Sequence, residues 1–242
     1  MIKRILCSFI VTCCLLAPHS YAAQPTSKAT TAEKQGGLSP KRALALLKEG
    51  NQRFMRGELR QYNFAKEMKI TSKKGQHPLA VILSCIDSRS IPDILFDQGL
   101  GNVFVSRIAG NVADKEILGS MEFASLLAGA PLIVVMGHTH CGAVEGACAI
   151  EDTGLSNLNY LLDKIRPAVG QLLKNDKPHN CKDMDMVNQI ARQNVLNQLQ
   201  YIVNNSEALK QAFDLQKIML VGGMHHITSG KVDFFNIKGE PL

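Results

Sequence analysis

The sequence contains no tryptophan, and aromatic residues make up 5% of its 242 positions. Nowhere does it stay apolar for the roughly 20 residues that a membrane-spanning helix requires. It has no Cys-x-x-Cys pair, which disfavours thiol–disulfide exchange chemistry. No Lys/Arg tract is clustered along it, and with so few aromatics this argues against nucleic acid as a partner. No internal repeat is visible. The rest is ordinary globular composition, 45% hydrophobic and 20% charged, at a length that supports one substantial core.

The amino terminus stands apart. Lys3 and Arg4 precede an apolar run from Ile5 to Ala17, and "PHSYAAQ" follows. A charged start, a short apolar stretch and small residues before a cut describe a secretory signal peptide, so residues 1–22 are expected to be removed and the protein to be periplasmic or secreted. Of 27 Lys plus Arg, the loss of Lys3 and Arg4 leaves 25 against 21 Asp plus Glu, a net charge of +4. Residues 23–37 are small and polar and read as a disordered leader, with a single domain expected over 38–242. Removal of the signal also leaves four cysteines: Cys85, Cys141, Cys148 and Cys181. Cys148 and Cys181 either pair or lie apart in the core, and the sequence leaves both open.

Ser39 followed by Pro40 opens an amphipathic helix over 39–56. Strands are expected at 79–85, 102–107, 131–137, 217–223 and, at an edge, 231–237. Helical patterns fall near 91–97 and over 114–129, 141–150, 155–174, 185–204 and 206–213. The run "PLIVVMG" is apolar without alternation, as a strand buried on both faces must be. The expected fold is therefore α/β: a mostly parallel central sheet of about four strands plus an edge strand, flanked by helices. Functional sites in such sheets form beyond the carboxyl ends of strands. There lie Cys85, Asp87 and Arg89 of "SCIDSR", Arg107 of "VSR", and His138, His140 and Cys141 of "GHTHC".

Cys85, His138 and Cys141 supply two thiolates and one imidazole, a donor set suited to Zn2+ with a fourth position to fill. Asp87 either fills that position or is held off it by Arg89, since a carboxylate and a guanidinium two residues apart form a charge-assisted pair. In the second case the zinc keeps a water, and Asp87 orients it.

"SCIDSR", "VSRIAGNV", "GSMEFA" and "GHTHCGAV" together resemble a β-class carbonic anhydrase over roughly 38–235. The resemblance implies zinc held by Cys85, His138 and Cys141, with Asp87 and Arg89 as the catalytic pair. It implies reversible hydration of carbon dioxide to bicarbonate and a proton by zinc-bound hydroxide. It also implies a homodimer or tetramer, with the helix at 39–56 embracing the partner. Family members that close at low pH, with the aspartate on the zinc, carry a tryptophan three residues before the first cysteine. Here that residue is Ile82, so an open site is expected, with Asp87 on Arg89.

His225 and His226 stand where relatives have a Tyr-Asp pair, and with His140 they are candidate proton relays. Arg107, Gly142 and Gln98 are candidates for contact with carbon dioxide or bicarbonate, with bracing of the dimer an equal alternative for Arg107. Glu122 reads as structural, and Met121, Phe123 and Leu126 as core. Two rival functions remain: hydrolysis of carbon disulfide or carbonyl sulfide on the same zinc site, and zinc binding without catalysis.

Overall fold

A computed structural model describes residues 30–149, 152–173 and 181–242. The expected signal peptide and residues 23–29 of the expected leader lie outside the described residues. No described helix is long and apolar enough to cross a membrane.

Five strands, β1 (Ala80–Ser84), β2 (Val103–Arg107), β3 (Leu132–His138), β4 (Met219–His225) and β5 (Val232–Phe235), form one sheet in the order β2-β1-β3-β4-β5. The first four are parallel and β5 runs antiparallel beside β4, as the sequence pattern predicts. Side chains alternate between faces along each strand. Val81, Leu83, Ile133, Val135 and Leu220 feed the larger core, under α5 (Lys115–Glu122), α6 (Gly142–Ala149), α8 (Arg166–Leu172) and α9 (Met184–Asn205). Ala80, Ile82, Leu132, Val134 and Val221 feed the smaller core, under α2 (Pro40–Arg56) and α4 (Pro92–Leu95). Burial on both faces explains why β1 and β3 read as uninterrupted apolar runs.

Three expectations need correction. Helix α1 (Ala32–Gly36) lies within the segment expected to be a disordered leader, and the Gln35 amide donates to the carbonyls of Pro78 and Ala128, at 2.9 and 2.7 Å. Helix α2, over the span expected to embrace a partner, also buries Ala43, Leu44 and Leu47 on its own sheet. The helix expected over 155–174 is two, α7 (Ser156–Asp163) and α8, because Pro167 cannot donate a helical hydrogen bond and falls in the first turn of α8. Beyond α5 the chain makes a π turn, Phe123–Leu127, that leaves Phe123 and Leu126 exposed, whereas Met121 is buried as expected. Helix α3 (Phe64–Lys74) has no counterpart among the expected elements. Glu122 is structural: it accepts a 2.6 Å hydrogen bond from Ser206, which also caps α10 (Glu207–Asp214).

Candidate metal centre

The chain leaves β1 for β2 on one side of the sheet and reaches β3 on the other, so a crevice opens between β1 and β3 at their carboxyl ends. Cys85 follows β1 directly and His138 ends β3. His140 then takes a left-handed backbone conformation, φ +56°, in the tight turn that leads to Cys141 at the mouth of α6. The Cys85 and Cys141 sulfurs and the His138 ring nitrogen all lie within 4.8 Å of one another, and all three residues are buried.

The protonation of this cluster is set by its neighbours. His138 Nδ1 donates to the Thr139 carbonyl at 2.9 Å, which fixes the tautomer and leaves Nε2 as a lone pair. That Nε2 is buried with no hydrogen-bond partner. An orphaned buried acceptor is costly, and a cation between it and the two sulfurs removes the cost. Gly110 donates its N–H to Cys85 Sγ at 3.4 Å. It does so from a left-handed φ of +67° where an added Cβ would meet Ile165 Cδ1 at 2.4 Å, so only glycine fits. Cys141 Sγ faces the backbone N–H groups of Ala143 and Val144, at the positive end of α6. The two neighbouring sulfurs share one proton between them, so the Cys85 pKa is lowered by Cys141 and that of Cys141 is raised by Cys85 and by burial. Two amide-supported sulfurs, which a bound metal would hold as thiolates, and a tautomer-fixed imidazole fit a zinc ion.

Asp87 is turned away from this cluster. Arg89 donates to it from Nε at 3.0 Å, from Nη2 at 2.8 Å and from its backbone N–H at 2.9 Å. The Arg89 guanidinium holds the Asp87 carboxyl well below the usual carboxylate range. Asp87 Oδ2 still stands only 4.0 Å from His138 Nε2.

The structure brings some of the remaining candidates to this site and not others. Arg107 donates to the carbonyls of Cys85 and Asp87, at 3.0 and 2.6 Å, so its guanidinium braces the turn that bears the cluster. Gln98 does not join the site within this chain: it precedes β2 at the opposite end of the strand, and its amide donates to the Phe96 carbonyl. Gly142 opens α6, but the amides that follow it point at Cys141 Sγ. His225 is buried, shares a 3.1 Å hydrogen bond with Ser90, and is pushed by burial down to about 4. His226 is half exposed and pairs with Asp233 at 2.8 Å, and His140 is exposed. Ser90, Thr139 and Gly110 were not singled out in the sequence. Their roles depend on partners such as His225, 135 positions from Ser90, which no local motif announces.

A buried two-cysteine, one-histidine cluster at the switch point of a parallel sheet is a candidate metal centre of an α/β protein. The family model described as carbonic anhydrase matches residues 80–232. A carbonic anhydrase of Mycolicibacterium smegmatis is 33% identical over 202 residues, covering 84% of this chain and 96% of that protein. Carbonic anhydrase 2 of Mycobacterium tuberculosis is 33% identical over 193 residues, covering 80% and 91%. The fold matches a β-carbonic anhydrase of Sordaria macrospora, described as tetrameric, with a TM-score of 0.59 at 21% identity, over 72% of this chain and 92% of that one. The chain belongs to the carbonic anhydrase family, with the β-class fold.

Proposed function

We propose that this protein hydrates carbon dioxide reversibly to bicarbonate and a proton, with zinc held by Cys85, His138 and Cys141. The observation that carries the zinc site is the buried, partnerless His138 Nε2 facing two free cysteines. Zinc held there would supply Lewis acidity, lowering the pKa of water toward about 7. Asp87, kept ionised and fixed by Arg89, accepts a hydrogen bond from the attacking water and orients it. Carbon dioxide offers little to hydrogen-bond, so the residues around the crevice need only exclude bulk water. The exposure of His140 and the partial exposure of His226, against the burial of His225, support the first two as carriers of the proton to buffer. Among the described residues the cluster has three donors and Asp87 is paired elsewhere, whereas a purely structural zinc site fills its fourth position with a protein ligand.

The finer reading is an exported homodimer, or a tetramer built from it. The Cys148–Cys181 disulfide supports export, because intracellular thiols are kept reduced. The exposed Phe123, Leu126 and Leu127 beside the edge strand β2 support association. Assay of the purified mature protein against carbon dioxide, carbonyl sulfide and carbon disulfide in parallel tests the assignment. Carbon dioxide hydration with negligible turnover of the sulfur substrates is expected. Turnover of a sulfur substrate alone overturns it.

A further inference from the structure

We infer that His225 and Ser90 form one positioning unit that keeps the Asp87 carboxylate on Arg89 and off the metal position. The inference rests on the zinc hydration reading above. Strand β4, which ends in His225, is not a neighbour of β1: β3 lies between them. Yet His225 Nδ1 and Ser90 Oγ share a 3.1 Å hydrogen bond across the end of β3, with both residues buried. Ser90 in turn donates its backbone N–H to the Asp87 carbonyl at 2.9 Å, closing the turn that carries Asp87 and Arg89. On its other side the His225 carbonyl accepts the N–H of Thr139 at 2.9 Å, next to His138. One residue is thus bonded both to the segment bearing a metal ligand and to the turn bearing the carboxylate.

This tie matters because the alternative position of Asp87 is close. With 4.0 Å between Asp87 Oδ2 and His138 Nε2, a small shift of the turn brings the carboxylate into the fourth ligand position. Arg89 opposes that shift from an exposed side chain, where ion pairs hold weakly. The His225–Ser90 bond opposes it from the interior, where water does not compete.

The test uses the full mature protein loaded with cobalt(II), whose visible spectrum responds when thiocyanate enters an exchangeable fourth position. Ser90→Ala and His225→Leu are expected to keep one cobalt per chain while raising the thiocyanate Kd about tenfold, the scale of one lost hydrogen bond. The double variant should be no worse than either single one, since both remove the same bond. His225→Asn, which returns a polar atom near the place of Nδ1, and Asp87→Asn added to His225→Leu should each restore binding. Wild-type thiocyanate affinity in both Ser90→Ala and His225→Leu overturns the inference, as does a loss that Asp87→Asn fails to rescue. If His225→Leu does not fold, Ser90→Ala with and without Asp87→Asn decides alone. A wild-type cobalt protein with no thiocyanate response overturns the hydration reading instead.

Discussion

The Asp87 carboxylate meets the Arg89 guanidinium through two parallel hydrogen bonds, Oδ1 to Nε at 3.0 Å and Oδ2 to Nη2 at 2.8 Å. This fork-to-fork geometry turns the carboxylate toward Arg89 and away from the three-donor cluster. Arg89→Gln is therefore expected to leave zinc content unchanged and lower kcat/KM about 10- to 100-fold, the scale of a hydrogen bond to a charged group. Zinc assay and carbon dioxide hydration kinetics on the same samples check it.

The same pair sets a pH dependence of stability. The native Asp87 carboxyl lies below the ordinary range while the unfolded one titrates near about 3.9. As pH falls through that value the unfolded chain takes up the proton first, so the contribution is full well above about pH 4 and declines progressively below it, toward the depressed native value. Chemical denaturation from pH 3 to 7 should show wild type more stable than Arg89→Gln above about pH 4, with the two curves converging below it.

Cys148 and Cys181 join α6 to the segment before α9 across 33 positions. A loop of that size stabilises by about 3–4 kcal/mol on the chain-entropy model. The double variant Cys148→Ser/Cys181→Ser should melt about 10 °C lower, as a chain of this size loses roughly 2–4 °C per kcal/mol. Peptide mapping without reduction should recover the two cysteines cross-linked, and Cys85 and Cys141 as free thiols.

Two glycines should respond in opposite directions. A Cβ on Gly50 of α2 would meet the Phe96 carbonyl oxygen at 1.8 Å, a backbone atom that cannot yield cheaply, whereas around Gly170 of α8 there is nothing within 4 Å. Gly50→Ala should cost at least about 2–3 kcal/mol. Gly170→Ala should add about 0.5–1 kcal/mol, through the lower conformational freedom of the unfolded chain. Thermal melts of the two variants beside wild type check both signs.

The site was legible because its chemistry is concentrated at strand ends. Cys85 and His138 close uninterrupted apolar runs, and Asp87 and Arg89 follow at a spacing short enough for a pair, so sheet and cluster both emerge from local pattern. The features that escaped the sequence depend on distant partners or on small departures from periodicity. Gln35 reaches carbonyls 43 and 93 positions away, and Ser90 finds His225 only through the strand order. The π turn after Glu122 rotates Phe123 and Leu126 outward although their spacing reads as core. Gln98 lies at the amino end of β2, away from this chain's own cluster, because its amide is taken up by the Phe96 carbonyl.

The central claim is that the Cys85–His138–Cys141 cluster, with Asp87 paired to Arg89, is a zinc-dependent hydration site. Metal-free protein titrated with zinc, with carbon dioxide hydration followed by stopped flow at each step, tests it most directly. The rate should rise in proportion to bound zinc and level off at one ion per chain. Background rates at full zinc occupancy would contradict the account.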